Sequence, residues 1–173
     1  MGFTGGVFRR GVHLVSSGGM TRCAPRHEQQ KNHDDISRTE PQGRAMIRCV
    51  HIWTGNDDNS HFEEGVISLE HGPHGDILSG KLPAATVSFQ ETASGGKLDW
   101  HTAPVRQLVI TLSGTLDFQT RSGQHFILRP GDILLAEDTV GGGHSWSLID
   151  NQPWRRAYVV LAPGAAIPFR PNT

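Results

Sequence analysis

From Met46 onward, turn-forming residues cut the chain into apolar runs too short for ordinary helices, and this constrains the fold more than any other feature. Strand-like segments fall at 47–53, 61–69, 85–90, 98–101, 105–112, 115–120, 124–128, 132–136, 144–149 and 156–161, and few of the gaps leave room for a helix of about ten residues. Twenty-one glycines and 10 prolines, about 18% of the 173 residues, supply the punctuation. The clearest hairpin is LDFQTRSGQHFIL, where Ser122-Gly123 joins a run with Leu116 and Phe118 on one face to a run with Phe126 and Leu128. Glycine takes positive φ in such a turn at no steric cost. The pattern predicts an all-β domain, a jelly roll or small barrel, whose interior is a natural place for a ligand.

Residues 1–45 have another texture. They show no sustained strand or helix periodicity, and the stretch from Arg22 to Arg44 is almost wholly polar. Such a segment cannot bury enough surface to offset its ordering entropy. It reads as a disordered or loosely attached arm before a folded domain at 46–173. A start-site extension ahead of Met46, or a transit peptide carrying Arg9 and Arg10, are the alternative readings.

Lys plus Arg (16) nearly balance Asp plus Glu (17), so no bulk field exists to hold nucleic acid or an anionic membrane. The expected partners are a small molecule and a second copy of the chain, with no nucleic acid and no membrane. Cys23 and Cys49 form no CxxC pair and cannot build a disulfide framework, which suits a reducing, cytoplasmic setting. The sequence contains no phosphate-binding GxxxxGK[ST] loop, no GxGxxG and no GxSxG elbow. Nucleotide-dependent transfer and acyl-enzyme chemistry are therefore not expected.

One segment carries more specific information. Residues 95–146, GGKLDWHTAPVRQLVITLSGTLDFQTRSGQHFILRPGDILLAEDTVGGGHSW, resemble the two conserved motifs of the cupin superfamily. The first motif usually holds a His-x-His pair, a Glu further on and a closing glycine; the matching positions are His101, Ala103, Gln107 and Gly114. The second usually runs Gly-Asp, Pro-x-Gly, His and a later Asn. Here Gly131-Asp132 and His144 match, Glu137-Asp138 replaces the proline stretch, and Leu148 stands at the Asn position.

The resemblance implies a cupin-type double-stranded β-helix, a jelly-roll barrel, acting on a small molecule. It also implies a divalent metal (Fe, Mn, Ni or Zn) with oxidation, isomerisation or lyase chemistry, and a homodimer built by strand exchange with 47–53 as donor. His101 and His144 are the expected catalytic imidazoles, and His101, Gln107 and His144 the metal ligands that remain. Alternation puts Ala103, Val105 and Gln107 on the face of His101, so two of four ligand positions have changed: Ala103 offers no donor and Gln107 only a neutral amide oxygen. Without a metal, one histidine would act as general base. The same two departures support a second reading, a non-catalytic barrel that binds a small ligand.

Gln107, Trp100, Arg106 and Glu137 complete the candidate substrate contacts. For three of them an ordinary account stands beside the functional one: packing for Trp100, an ion pair for Arg106, a solvated turn for Glu137-Asp138, although one carboxylate of that pair could orient His144. His125 alternates away from Phe126 and Leu128 and reads as a surface residue. His61 and Glu63 share a strand face and are secondary candidates.

Overall fold

The computed structural model describes residues 46–172. The expectations for residues 1–45, including the arm and Cys23, lie outside the described residues. Thirteen strands form: β1 (Ile47–Thr54), β2 (Ser60–Ile67), β3 (Glu70–His71), β4 (Ile77–Leu78), β5 (Ala84–Thr92), β6 (Lys97–His101), β7 (Gln107–Ser113), β8 (Leu116–Thr120), β9 (His125–Leu128), β10 (Ile133–Glu137), β11 (His144–Leu148), β12 (Trp154–Leu161) and β13 (Phe169–Pro171). Each of the ten expected segments holds a strand. The β3–β4 pair, with a turn of 3-10 helix at Pro73–Gly75, and β13 were not expected. They are too short to show a period.

Eight strands pair as nested shells. β8 pairs β9 across the Ser122-Gly123 turn, β7 pairs β10, β6 pairs β11 and β5 pairs β12, all antiparallel. Rolling this long hairpin puts alternate shells into two sheets, β5-β12-β7-β10 and β6-β11-β8-β9. That nesting is the topology of a jelly roll, or double-stranded β-helix. Beyond β10 the large sheet continues through β1, β2 and β13, with β1 parallel to β10.

Sequence alternation decides which face of each strand is buried. Leu116, Phe118, Phe126 and Leu128 point between the sheets, where they meet Val50, Ile52, Leu134, Trp146 and Trp154. A fully buried side chain of this size contributes about 1.5–3 kcal/mol from apolar burial. The outer face of the large sheet is covered as well, with Cys49, Ile67, Leu108, Leu135, Leu161 and Ala165 forming a second cluster. Two covered faces explain the near-continuous apolar run in β10. Burial pushes the Cys49 thiol up to about 12, which makes it a packing residue rather than a nucleophile.

The strand expected to be exchanged, β1, is paired on both sides within the described chain. This strand is hydrogen-bonded to β2 on one side and β10 on the other, both within its own chain. The exposed edge of the large sheet is β5, which carries Val87 and Phe89 toward solvent.

Candidate active site

The site lies between the sheets, in a cavity of about 410 Å³, a size suited to a small organic molecule. Along β12 the residues Trp154, Arg156, Tyr158 and Val160 face it, while Arg155 is exposed. β7 contributes Gln107 and Val109, and the small sheet contributes His101, Phe118, His144 and Trp146. Ser88 and Gln90 of β5 line the same space yet are exposed, so the cavity opens along that edge.

Strand pairing brings the two histidines together. His144 at the start of β11 is the register partner of His101 at the end of β6, and their rings meet edge to face at 4.5 Å between centroids. The glycine run before His144 permits this approach. Gly143 has φ +65, and a Cβ there would stand 2.1 Å from the His101 carbonyl oxygen, so only glycine fits.

Hydrogen bonding then sets the tautomer of each ring. His144 Nδ1 lies 2.6 Å from Asp138 Oδ2, which also accepts from Ser60 Oγ at 2.7 Å. His101 Nδ1 donates to the Asp99 carbonyl at 2.7 Å. With Nδ1 as the donor in both, each neutral ring carries its lone pair on Nε2, and neither Nε2 has a protein partner among the described residues. Asp138 is fully buried, and its Oδ1 is unpaired. Burial holds His101 below the usual imidazole value of 6.5, and the neighbouring His144 adds to the lowering.

His101 and His144 from the small sheet and Gln107 from the large sheet thus line one cavity. A resident divalent ion fits them poorly. The donors are two neutral imidazoles and a neutral amide, Ala103 supplies none, and the guanidinium of Arg156 lines the same space. Among the described residues no group of three or more His, Cys, Asp or Glu side chains is placed to hold a metal.

The other expected contacts lie elsewhere. Glu137 and Asp138 are split at the end of β10: Asp138 is buried behind His144, while Glu137 turns to the opposite face of the sheet. There it accepts from Arg106 and pairs with His51 at 2.8 Å. Arg106 also donates to the Ala165 carbonyl at 2.6 Å. Both belong to an outer ion-pair network, and neither lines the cavity. Burial pushes the Glu137 carboxyl up, but its bonds to Arg106 and His51 outweigh that and hold it low. Trp100, of opposite parity to His101, lies under the Arg121 guanidinium, 4.0 Å away, and does not line the cavity. His125 is exposed beside Asp117, Glu63 pairs with His51, and His61 pairs with Asp57.

Arg156 was missed. It is 6% exposed, stacks 3.7 Å over the Trp154 ring and donates to Gln90 Oε1, Thr92 Oγ1, Tyr158 Oη and the Trp154 carbonyl. The signal was present in WRRAYVVL, where alternation from Trp154 puts Arg156 and Tyr158 on the inner face. Beginning the strand at 156 hid it.

No protein-family model and no curated protein matches the chain. Solved structures do. An uncharacterised double-stranded β-helix protein from Klebsiella pneumoniae is 21% identical over 50% of this chain and 70% of its own, with a TM-score of 0.37. A cupin 2 conserved barrel domain protein from Leptotrichia buccalis is 20% identical over 49% of this chain and 38% of its own, with a TM-score of 0.36. The cupin domain of Cnp3 from Schizosaccharomyces pombe is 14% identical over 68% of this chain and 84% of its own, with a TM-score of 0.38. These scores are low, and the fold assignment rests on the nested strand pairing. No helix among the described residues is long and apolar enough to cross a membrane.

Proposed function

We propose that this cupin-type double-stranded β-helix binds a small polar organic molecule in its cavity and moves a proton on it with the His101–His144 pair, as an isomerase or lyase would. One observation carries the reading: both imidazoles are locked with Nδ1 as donor, leaving two Nε2 lone pairs at one cavity wall without protein partners. Asp138 behind His144 favours the imidazolium that forms when Nε2 takes a proton from carbon. The depressed pKa of His101 keeps that ring neutral near pH 7, ready to accept a proton or a hydrogen bond. Gln107 offers an amide to the same molecule.

Deuterium uptake tests this. A panel of small hydroxy- and oxo-acids incubated with the protein in heavy water is expected to yield one or more members labelled at carbon. His144→Gln should cut the labelling rate by about 10²–10⁴-fold, the usual worth of a positioned general base. Labelling that survives in both His144→Gln and His101→Gln would overturn the proposal. A second reading, a barrel that binds without reacting, is favoured by Ala103 and Gln107, which stand where the cupin resemblance expects ligating side chains. Tight binding of a panel member with no labelling would establish it.

A further inference from the structure

The cavity is chemically polarised along its length. At the imidazole end the protein presents two acceptors without protein donors, the Nε2 atoms, beside the neutral Gln107 amide, with Asp138 Oδ1, which has no partner among the described residues, buried behind them. At the Arg156 end it presents donors without anions. The guanidinium is nine-tenths buried, all four of its hydrogen bonds go to neutral oxygens, and no ion pair among the described residues includes it. Two further buried polar atoms there lack partners: Trp154 Nε1, in the ring beneath the guanidinium, and Thr111 Oγ1, opposite Arg156 in the β12–β7 register.

A buried cation without a counter-ion is costly, and buried charges are as a rule paired. Arg106 shows the contrast in the same molecule, since its charge is met by Glu137. Among the described residues nothing supplies an anion to Arg156, and the cavity it lines is where one can reach it. One guanidinium N–H, on Nη2, is left over from its four hydrogen bonds, and a carboxylate that accepts it gains a charge-assisted hydrogen bond to a cation that cannot be deprotonated.

We propose that Arg156 anchors the carboxylate of an organic acid whose second polar group meets His101 and His144. This deepens the reading above and rests on it only at the imidazole end. The register sets the reach: Arg156 lies opposite Thr111 and Val160 opposite Gln107, four residues apart along β7 or about 13 Å at strand rise. Val109, Phe118 and Trp146 line the space between. Side chains from both ends shorten the gap, so the spacer is apolar and about one aromatic ring or a short alkyl chain long.

Calorimetry on the full chain tests this with 4-hydroxybenzoate, (4-hydroxyphenyl)acetate and 3-(4-hydroxyphenyl)propanoate, each against its primary amide, and with inorganic phosphate. One or more of the acids should bind about tenfold or more tighter than its amide, the scale of a charge-assisted pair. Arg156→Gln should abolish that preference and Arg156→Lys retain part of it. Should Arg156→Gln fail to fold, the wild-type comparison and Arg156→Lys still decide. Acids and amides binding alike, or no acid preferred anywhere in the series, overturns the anchor. Phosphate binding as tightly as the best acid overturns the spacer. His144→Gln separates the two ideas: it should leave the acid preference intact, so loss of labelling with retained preference sinks neither, while an absent preference with intact labelling sinks the anchor alone.

Discussion

A histidine–carboxylate arrangement lies on each side of the large sheet, one on its outer face and one in the space between it and the small sheet, and the two differ in completeness. On the outer face His51 has Glu63 at Nδ1 and Glu137 at Nε2, Glu137 meets Arg106, and Arg106 donates on to the Ala165 carbonyl. Both ring nitrogens are engaged, and the Glu137 carboxylate meets the Arg106 guanidinium. Between the sheets His144 and His101 each use one nitrogen, Asp138 keeps a bare oxygen, and Arg156 lacks an anion. A closed network contributes geometry and some stability. An open one, inside a cavity, holds groups ready for something that is not protein.

The sharpest way to break this contrast is to remove one imidazole from each side. His144→Gln should abolish nearly all proton transfer, a loss of about 10²–10⁴-fold. His51→Gln should leave the rate within about twofold, because it touches nothing in the cavity. Equal losses from the two, measured as deuterium labelling rates, would mean that completeness does not separate structure from function here. A smaller effect follows at the carboxylates. Asp138→Asn keeps the shape but can present an amide N–H to His144 Nδ1, moving the ring proton to Nε2 and lowering the rate by about 10²-fold. Glu137→Gln should leave the rate unchanged and cost about 1 kcal/mol or less in urea unfolding, since its partner Arg106 is partly exposed.

The two faces were unequally legible in the sequence. The hairpin core was readable because Leu116, Phe118, Phe126 and Leu128 alternate on either side of Ser122-Gly123, a local pattern with one solution. The meeting of His101 with His144 came from motif resemblance, as no local rule joins strands that far apart in the chain. Neighbouring Glu137 and Asp138 were indistinguishable, because which of them faces inward depends on where β10 ends. Arg156 was lost to a strand start misplaced by two residues. The partnership of β1 with β10 is parallel and long-range, and no turn announces it.

Acid titration offers the finest test, because the two faces should respond in separate pH windows. His101 is held below 6.5 in the folded protein, chiefly by burial, whereas in the unfolded chain it titrates near 6.5. As pH falls through 6.5 the unfolded state takes up a proton that the folded state refuses. Stability therefore declines from that point until the folded value is reached, and then levels. Glu137 behaves differently. Its carboxyl is held below 4.5 by Arg106 and His51 against the opposing effect of burial, so its contribution is intact above 4.5 and is lost only as pH falls from there through the lower folded value. Unfolding free energy measured against pH should show two steps on the acid side. His101→Gln should erase the upper step, and Glu137→Gln should shrink the lower, to which the lowered carboxyls of Asp57 and Asp150 also contribute. The labelling rate should fall within the upper window alone, where His101 becomes charged and its Nε2 lone pair is lost. A rate that instead followed the lower step would assign the chemistry to the closed network and reverse the roles of the two faces.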